Sequence, residues 1–255
     1  MNPAVLGIDT SGTSCSVALA HRSHVYARRA VVGNAHSQHV LAMVRDVLAE
    51  ASTPLDRCDA IAYAAGPGSF TGLRVACAVA QGLAFGAHKP VVAVGTLEAV
   101  AHSIISSIDE TSREVLVAMD ARMGEVYWSL LDWTGGRMTV VTSPALASPA
   151  TLRDHVLGRM GRTIALGCGN AWSVHGDAME GLVDRVIHRD AADAIDVAQL
   201  GRIACEDGKA IAPEDASPLY VRDDVALTTA ERDVKRDVKR QGGPVRAFTS
   251  VEHGV

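Results

Sequence analysis

Ala60-Ile61-Ala62-Tyr63-Ala64-Ala65-Gly66-Pro67-Gly68-Ser69-Phe70-Thr71-Gly72 is the stretch that decides how this 255-residue chain is read. Its first six residues suggest a buried strand; three glycines and a proline then turn the chain. Glycine tolerates positive φ and lets backbone approach backbone closely. Pro67 fixes its own φ and biases Gly66 away from helix. Ser69 or Thr71 is placed to cap the helix that follows. From Gly72 to Ala87 that helix has only Arg74 and Gln81 as polar side chains. One face, at four-residue spacing, reads Gly72, Ala76, Ala80, Ala84. Leu73, Val75, Cys77, Val79, Leu83 and Phe85 occupy the other sides. A helix apolar all round is either core or covered by a partner. Both readings stand at this point: a central core helix, or a helix with one side in the core and the other side receiving a second subunit.

A glycine-rich turn between strand and helix also suggests a phosphate cradle. The pattern departs from the known cradles. No Gly-Lys-Ser/Thr ending follows, and Gly66, Gly68 and Gly72 miss the dinucleotide fingerprint by one residue.

Working outward, Val5-Leu6-Gly7-Ile8-Asp9 is an apolar run ending in a carboxylate. Ser14 to Ala20 and Val25 to Val32 suggest two further strands. Ser37 is placed to cap a helix whose apolar stripe is Val40, Leu41, Val44, Val47, Leu48 and Ala51. After the central stretch, Val91 to Val94 suggests a buried strand, and Thr96 is placed to cap a helix with Glu98 in its first turn. The series then restarts. Val115 to Asp120 is again an apolar run ending in Asp, Val126 to Leu131 follows, and Gly135-Gly136 marks a hairpin into Met138 to Thr142. Pro149 to Leu157 suggests a short helix, Thr163 to Leu166 a strand and Ala191 to Glu206 a helix. Strand–Asp–strand–strand thus occurs twice, a duplication of architecture. Ser217 to Arg222 suggests an extended segment. The expected division is 1–107, 108–228 and a charged, disordered tail at 229–255.

Hydrophobic residues make up 48% of the chain and aromatics only 4%, so the core is expected to be aliphatic. The net charge of −5 gives no global field for nucleic acid. The five cysteines are scattered, with no Cys-x-x-Cys pair, which argues against a disulfide framework. No signal peptide is recognised, and no apolar run is expected to span a bilayer. A soluble cytoplasmic protein is the expectation.

Several blocks together resemble one family: Leu6-Gly7-Ile8-Asp9-Thr10-Ser11, Cys15 to Leu19, His36-Ser37-Gln38, Gly66 to Arg74, Ala80 to Ala84, Thr96 to Ala99 and Asp120-Ala121-Arg122-Met123-Gly124-Glu125-Val126-Tyr127. The chain resembles the TsaB (YeaZ) family of tRNA threonylcarbamoyladenosine biosynthesis. The resemblance implies an α/β, actin-like and sugar-kinase-like fold of two related domains with mixed sheets. It implies a non-catalytic subunit that pairs with a TsaD-like catalytic subunit and a TsaE-like ATPase. The assembly transfers a threonylcarbamoyl group to adenosine 37 of tRNAs reading codons that begin with A, so tRNA is met through the complex. The implied interface lies on the helices Ser37 to Ala51 and Thr71 to Ala87. The residues expected there are Val40, Met43, Val44, Val47, Gly72, Arg74, Ala76, Ala80, Leu83 and Ala84, with a homodimer through the same helices when the chain is alone.

The alternative is a standalone nucleotide-dependent phosphotransferase or hydrolase, including a glycoprotease-like metalloenzyme. Actin-like ATPases need one carboxylate-bearing loop per domain, and Asp9 and Asp120 end the corresponding strands. Gly167 and Gly169 loosely resemble an adenosine-side loop. Bulky Arg122-Met123 stands where phosphate contacts belong, so the two carboxylates are expected to cap loops or pair with a cation such as Arg122. His36 and His39 lie three apart, where the related catalytic subunit carries two histidines four apart. No third ligand declares itself, and His36 is expected before the helix, making a local hydrogen bond. No cofactor, metal or catalytic residue is therefore expected.

Overall fold

The structure is a computed structural model, which describes residues 3–104 and 114–222. Two five-stranded sheets are laid out on one plan. The first has β1 (Val5–Asp9), β2 (Ser14–His21), β3 (His24–Val31), β4 (Ala60–Gly66) and β5 (Val91–Gly95), in the order β3-β2-β1-β4-β5. The second has β6 (Glu114–Arg122), β7 (Glu125–Thr134), β8 (Arg137–Ala147), β9 (Ile164–Cys168) and β10 (Val183–Ile187), in the order β10-β9-β6-β7-β8. In each sheet the first strand pairs antiparallel with the second and parallel with the fourth. The architecture duplicated in the sequence is therefore duplicated in space, and the fold is the actin-like, sugar-kinase-like one. The expected boundary at 107/108 and the tail 229–255 both lie outside the described residues.

The central strands β1 and β4 of the first sheet are covered on both faces, which explains their apolar sequences. Strand alternation sends Leu6, Ile8, Ile61 and Tyr63 to one face, under α1 (His36–Glu50) and α2 (Phe70–Ala87). Val5, Ala60, Ala62 and Ala64 face the other way, toward α3 (Thr96–His102) and α6 (Ala194–Glu206). The second sheet buries Leu116, Ala118, Trp128 and Leu130 under a helix at Pro149–Arg153 (α4) that passes into a π-helical turn at Asp154–Arg159. A five-residue helix, α5 (Ala171–His175), follows β9.

The last helix, α6, comes after the second sheet yet packs on the first. A Cβ on Gly7 would lie 2.6 Å from the Ala194 carbonyl oxygen, and one on Gly201 would lie 2.7 Å from the Ala62 Cβ. The Ala194 N–H donates to Ser16 Oγ at 2.9 Å. The described residues up to Val221 accordingly form one compact unit.

Three local expectations are corrected. α1 starts at His36 after Ala35, with no side-chain cap, so Ser37 is not its cap. Thr96 is the first residue of α3 and is buried; Gly95 precedes it, again without a side-chain cap. α2 is long and apolar enough to cross a membrane by length and composition. Its cap is Ser69, whose hydroxyl accepts from the Gly72 N–H.

Candidate functional site

Asp9 closes β1 and is buried, and its Oδ1 accepts from the Ser11 N–H at 2.8 Å. Burial pushes its carboxyl above the usual range, although the bonds from Ser11 hold it down in part. The glycine loop stacks directly on this turn. Ser69 N–H donates to the Ser11 carbonyl at 2.7 Å, and the Thr10 hydroxyl donates to the Gly72 carbonyl at 2.7 Å. A Cβ on Gly68 would sit 2.7 Å from the Ser11 oxygen, and one on Gly72 only 1.9 Å from the Thr10 oxygen. A phosphate cradle needs free N–H groups at the helix start. Here the Ser69 amide is spent on a carbonyl and the Gly72 amide on Ser69 Oγ. These glycines let backbone lie on backbone.

The second half repeats the closure with other groups. Asp120 Oδ1 meets His175 Nε2 at 3.1 Å and accepts from the Arg122 backbone N–H at 3.2 Å, while the Asp120 N–H donates to Asn170 Oδ1 at 2.7 Å. The side chain paired with Asp120 is thus His175, brought in by α5, and not the Arg122 guanidinium. Arg122, Met123 and Gly124 turn the strand with φ of 62°, 57° and 80°. A Cβ on Gly167 would meet the Trp172 ring at 2.7 Å, and one on Gly169 would meet the Ala118 oxygen at 2.0 Å. The chain's own groups therefore occupy the space beside Asp9, Asp120, Gly167 and Gly169.

His36 and His39 are not brought together. His36 is the first residue of α1 and is buried, with Nδ1 lacking a hydrogen-bond partner, while His39 is exposed. His36, expected before the helix, instead begins it. Among the described residues no group of three or more His, Cys, Asp or Glu is placed to hold a metal.

The face expected to receive a partner is core. Val40, Val44, Val47, Gly72, Ala76, Ala80 and Ala84 are all buried; Gly72 lies against the Thr10 carbonyl, and the other six pack with Leu6, Ile8, Ile61 and Tyr63 of the chain's own sheet. A run of small residues four apart permits close approach, but it does not say which body approaches. Of the ten residues, Met43 and Leu83 are half-buried and Arg74 is exposed.

The uncovered side of α2 is the opposite one. Ala78, Gly82, Phe85 and Gly86 are exposed there, with Val75, Val79 and Leu83 half-buried. Phe85 is 75% exposed, and Leu41 on the neighbouring α1 is 55% exposed. An exposed apolar surface of this kind is a candidate interaction site. The sequence did carry a signal for it: a second small-residue row at Ala78, Gly82 and Gly86, four apart like the first.

Residues 28–224 match the family model described as TsaD, tRNA N6-adenosine threonylcarbamoyltransferase. The chain is 35% identical over 232 residues to the tRNA threonylcarbamoyladenosine biosynthesis protein TsaB of Escherichia coli, covering 87% of this chain and 96% of that protein. The TsaB of Haemophilus influenzae is 30% identical over 234 residues, covering 88% and 95%. Among solved structures, YeaZ from Pseudomonas aeruginosa superposes with a TM-score of 0.73 at 33% identity, covering 86% of this chain and 99% of its own. A second Pseudomonas aeruginosa structure, described as an uncharacterized protein with similarity to peptidase YEAZ, gives 0.75 at 33% identity, covering 86% and 100%.

Proposed function

The chain belongs to the TsaB family of tRNA threonylcarbamoyladenosine biosynthesis proteins, and from that premise we propose that it acts as a non-catalytic subunit. Its partners are a TsaD-class transferase and a TsaE-class ATPase, working in the cytoplasm on adenosine 37 of tRNA. The TsaD-class subunit docks on the outward surface of α1 and α2, through Leu41, Met43, Ala78, Gly82, Leu83 and Phe85. Alone, the chain pairs two copies through the same surface. The observation that carries the reading is the outward side of the 18-residue α2, where Ala78, Gly82, Phe85 and Gly86 are exposed with no polar side chain among them. A surface-lining helix of a monomer should be polar on its outer side. The closed loops at Asp9 and Asp120 support a subunit whose chemistry is done by its neighbour.

Gly82→Glu and Phe85→Glu test this. Both positions are exposed, and a Cβ on Gly82 meets nothing within 4 Å. The isolated variants should fold, lose co-purification with the TsaD-class subunit and fail to support tRNA modification in a reconstituted system. Unchanged affinity in both refutes the interface. Sedimentation of the isolated chain should show a dimer that Phe85→Glu converts to monomer.

A further inference from the structure

We propose that Arg74, clamped between Phe70 and Tyr220, is a preformed receptor for one carboxylate on the protein that covers α2. This rests on the docking surface just described and adds the chemistry of the partner's complementary group. The Arg74 guanidinium carbon lies 3.8 Å above the centre of the Phe70 ring and 5.8 Å from that of Tyr220. The two rings are 5.5 Å apart. Arg74 Nε donates to the Tyr220 hydroxyl oxygen at 2.9 Å. Arginine carries five N–H donors in a planar fork. One is spent on Tyr220, and among the described residues none accepts from Nη1 or Nη2.

The clamp is itself held in place from a distance. Tyr220 lies on a strap that crosses the start of α2. Leu219 N–H donates to the Ala65 carbonyl at 2.7 Å. The Tyr63 hydroxyl donates to the Ser217 carbonyl at 3.0 Å and accepts from the Ser217 N–H at 3.1 Å. Gln81 Nε2 donates to the Pro213 and Ala216 carbonyls at 2.9 and 3.1 Å. The ordering cost of a long arginine is thereby met during folding and not at the moment of association. Phe70 and Tyr220 are 40% and 41% exposed, so the fork stands at the surface beside the apolar side of α2.

The charge pattern selects the ligand. Arg74 is the one cation between Phe70 and Ala87. On α1, Arg45 is already paired with Asp46 at 3.0 Å. Nucleic acid is held by several cations, each neutralising a phosphate. A lone stacked arginine in an apolar surround suits one planar carboxylate, bound by the two terminal nitrogens and shielded from water once the interface closes. Arginine and tyrosine are also enriched among the residues that carry binding energy in protein interfaces.

The test is the affinity of the full chain for its TsaD-class partner, titrated at low and high NaCl. Arg74→Ala should weaken binding by about 30-fold and flatten the salt dependence, as expected for loss of one interfacial charge pair. Arg74→Lys should recover only part of that, roughly 3-fold, because it restores charge without the fork or the stack. Arg74→Gln serves as the neutral variant should alanine disturb the fold, which thermal unfolding of each chain checks. If Gly82→Glu abolishes binding while Arg74→Ala and Arg74→Gln leave it unchanged, this proposal falls and the docking surface stands. If none of them changes affinity, both fall. If Arg74→Ala instead removes binding of the isolated chain to tRNA and spares the partner, the ligand is a phosphate and the carboxylate assignment is overturned.

Discussion

Replacing Gly72 with alanine should destabilise the chain, although alanine is the better helix former. The position is helical, so intrinsic propensity favours alanine by about 1 kcal/mol. Sterics oppose it. The new Cβ would lie 1.9 Å from the Thr10 carbonyl oxygen and 3.0 Å from its carbon, both backbone atoms with no rotamer to yield. The start of α2 must then retreat by more than an ångström. That breaks the bond from the Thr10 hydroxyl to the Gly72 carbonyl and the one from the Ser69 amide to the Ser11 carbonyl, both 2.7 Å long. Each buried group left without a partner costs roughly 1–3 kcal/mol. Two of them, roughly 2–6 kcal/mol together, outweigh the propensity gain and leave a net loss of about 1–5 kcal/mol. In a domain of this size that corresponds to a fall in Tm of about 2–20 °C. Gly82→Ala is the control on the same helix. A Cβ there meets nothing within 4 Å, so propensity acts alone and the variant should be equal or more stable by up to about 1 kcal/mol. Thermal and urea unfolding of both variants, at one fixed protein concentration, reads the difference. A Gly72→Ala chain as stable as the parent would refute the claim that the loop glycines serve backbone stacking.

Other outcomes follow from the same geometry. The Asp9 carboxyl is raised by burial, so the folded state binds its proton more tightly than the unfolded chain does. Its contribution to stability is therefore greatest at low pH and declines as pH rises through the window above 3.8. Asp9→Asn keeps an acceptor for the Ser11 N–H and should raise Tm at pH 7, with the gain shrinking as the pH approaches 4; a gain independent of pH would refute the linkage. The thiols of Cys15 and Cys58 are pushed up to about 11 and that of Cys168 to about 12, all chiefly by burial. Mass spectrometry after brief alkylation of the native chain should find half-exposed Cys205 modified first and those three only after denaturant. Tyr63→Phe removes both bonds to Ser217 and strands its amide, so it should cost roughly 1–3 kcal/mol and expose the strap after Pro213 to limited proteolysis.

Much of the fold was written in the chain, and the reasons differ by element. Val5–Asp9 and Ala60–Gly66 are legible because parallel central strands covered on both faces must be apolar throughout. The repeat of an apolar run ending in Asp9 and again in Asp120 gave the duplication. Val183–Ile187 was missed because it is an edge strand with Asp184 and Arg185 in its middle, and α5 because five residues carry no period. Leu41 sits in the apolar stripe of α1 yet is exposed, since the stripe is wider than the surface that the sheet can cover. The clamp on Arg74 was unreadable: Tyr220 lies 146 residues away, and no local pattern links the two. The small-residue face misled for a sharper reason. Gly72, Ala76, Ala80 and Ala84 encode a short distance, and a short distance to the chain's own sheet reads the same as one to a stranger.

The two ends of α2 therefore face opposite energetic situations. At its start, admitting a phosphate means first separating Ser69 from Ser11 and Gly72 from Thr10, so any nucleotide must offset bonds that folding has already made. Along its outer side nothing need be broken. Phe85 and Leu41 lie largely in water, and covering a large apolar side chain of this kind contributes about 1.5–3 kcal/mol when burial is complete. A few such residues, with water excluded around Ala78 and Gly82, supply much of the free energy that a stable heterodimer requires once the cost of association is met. Ligand free energy is thus cheapest to gain on the flank of the helix and most expensive at its tip. On the proposed reading, that asymmetry favours covering the flank with protein over admitting a nucleotide at the tip.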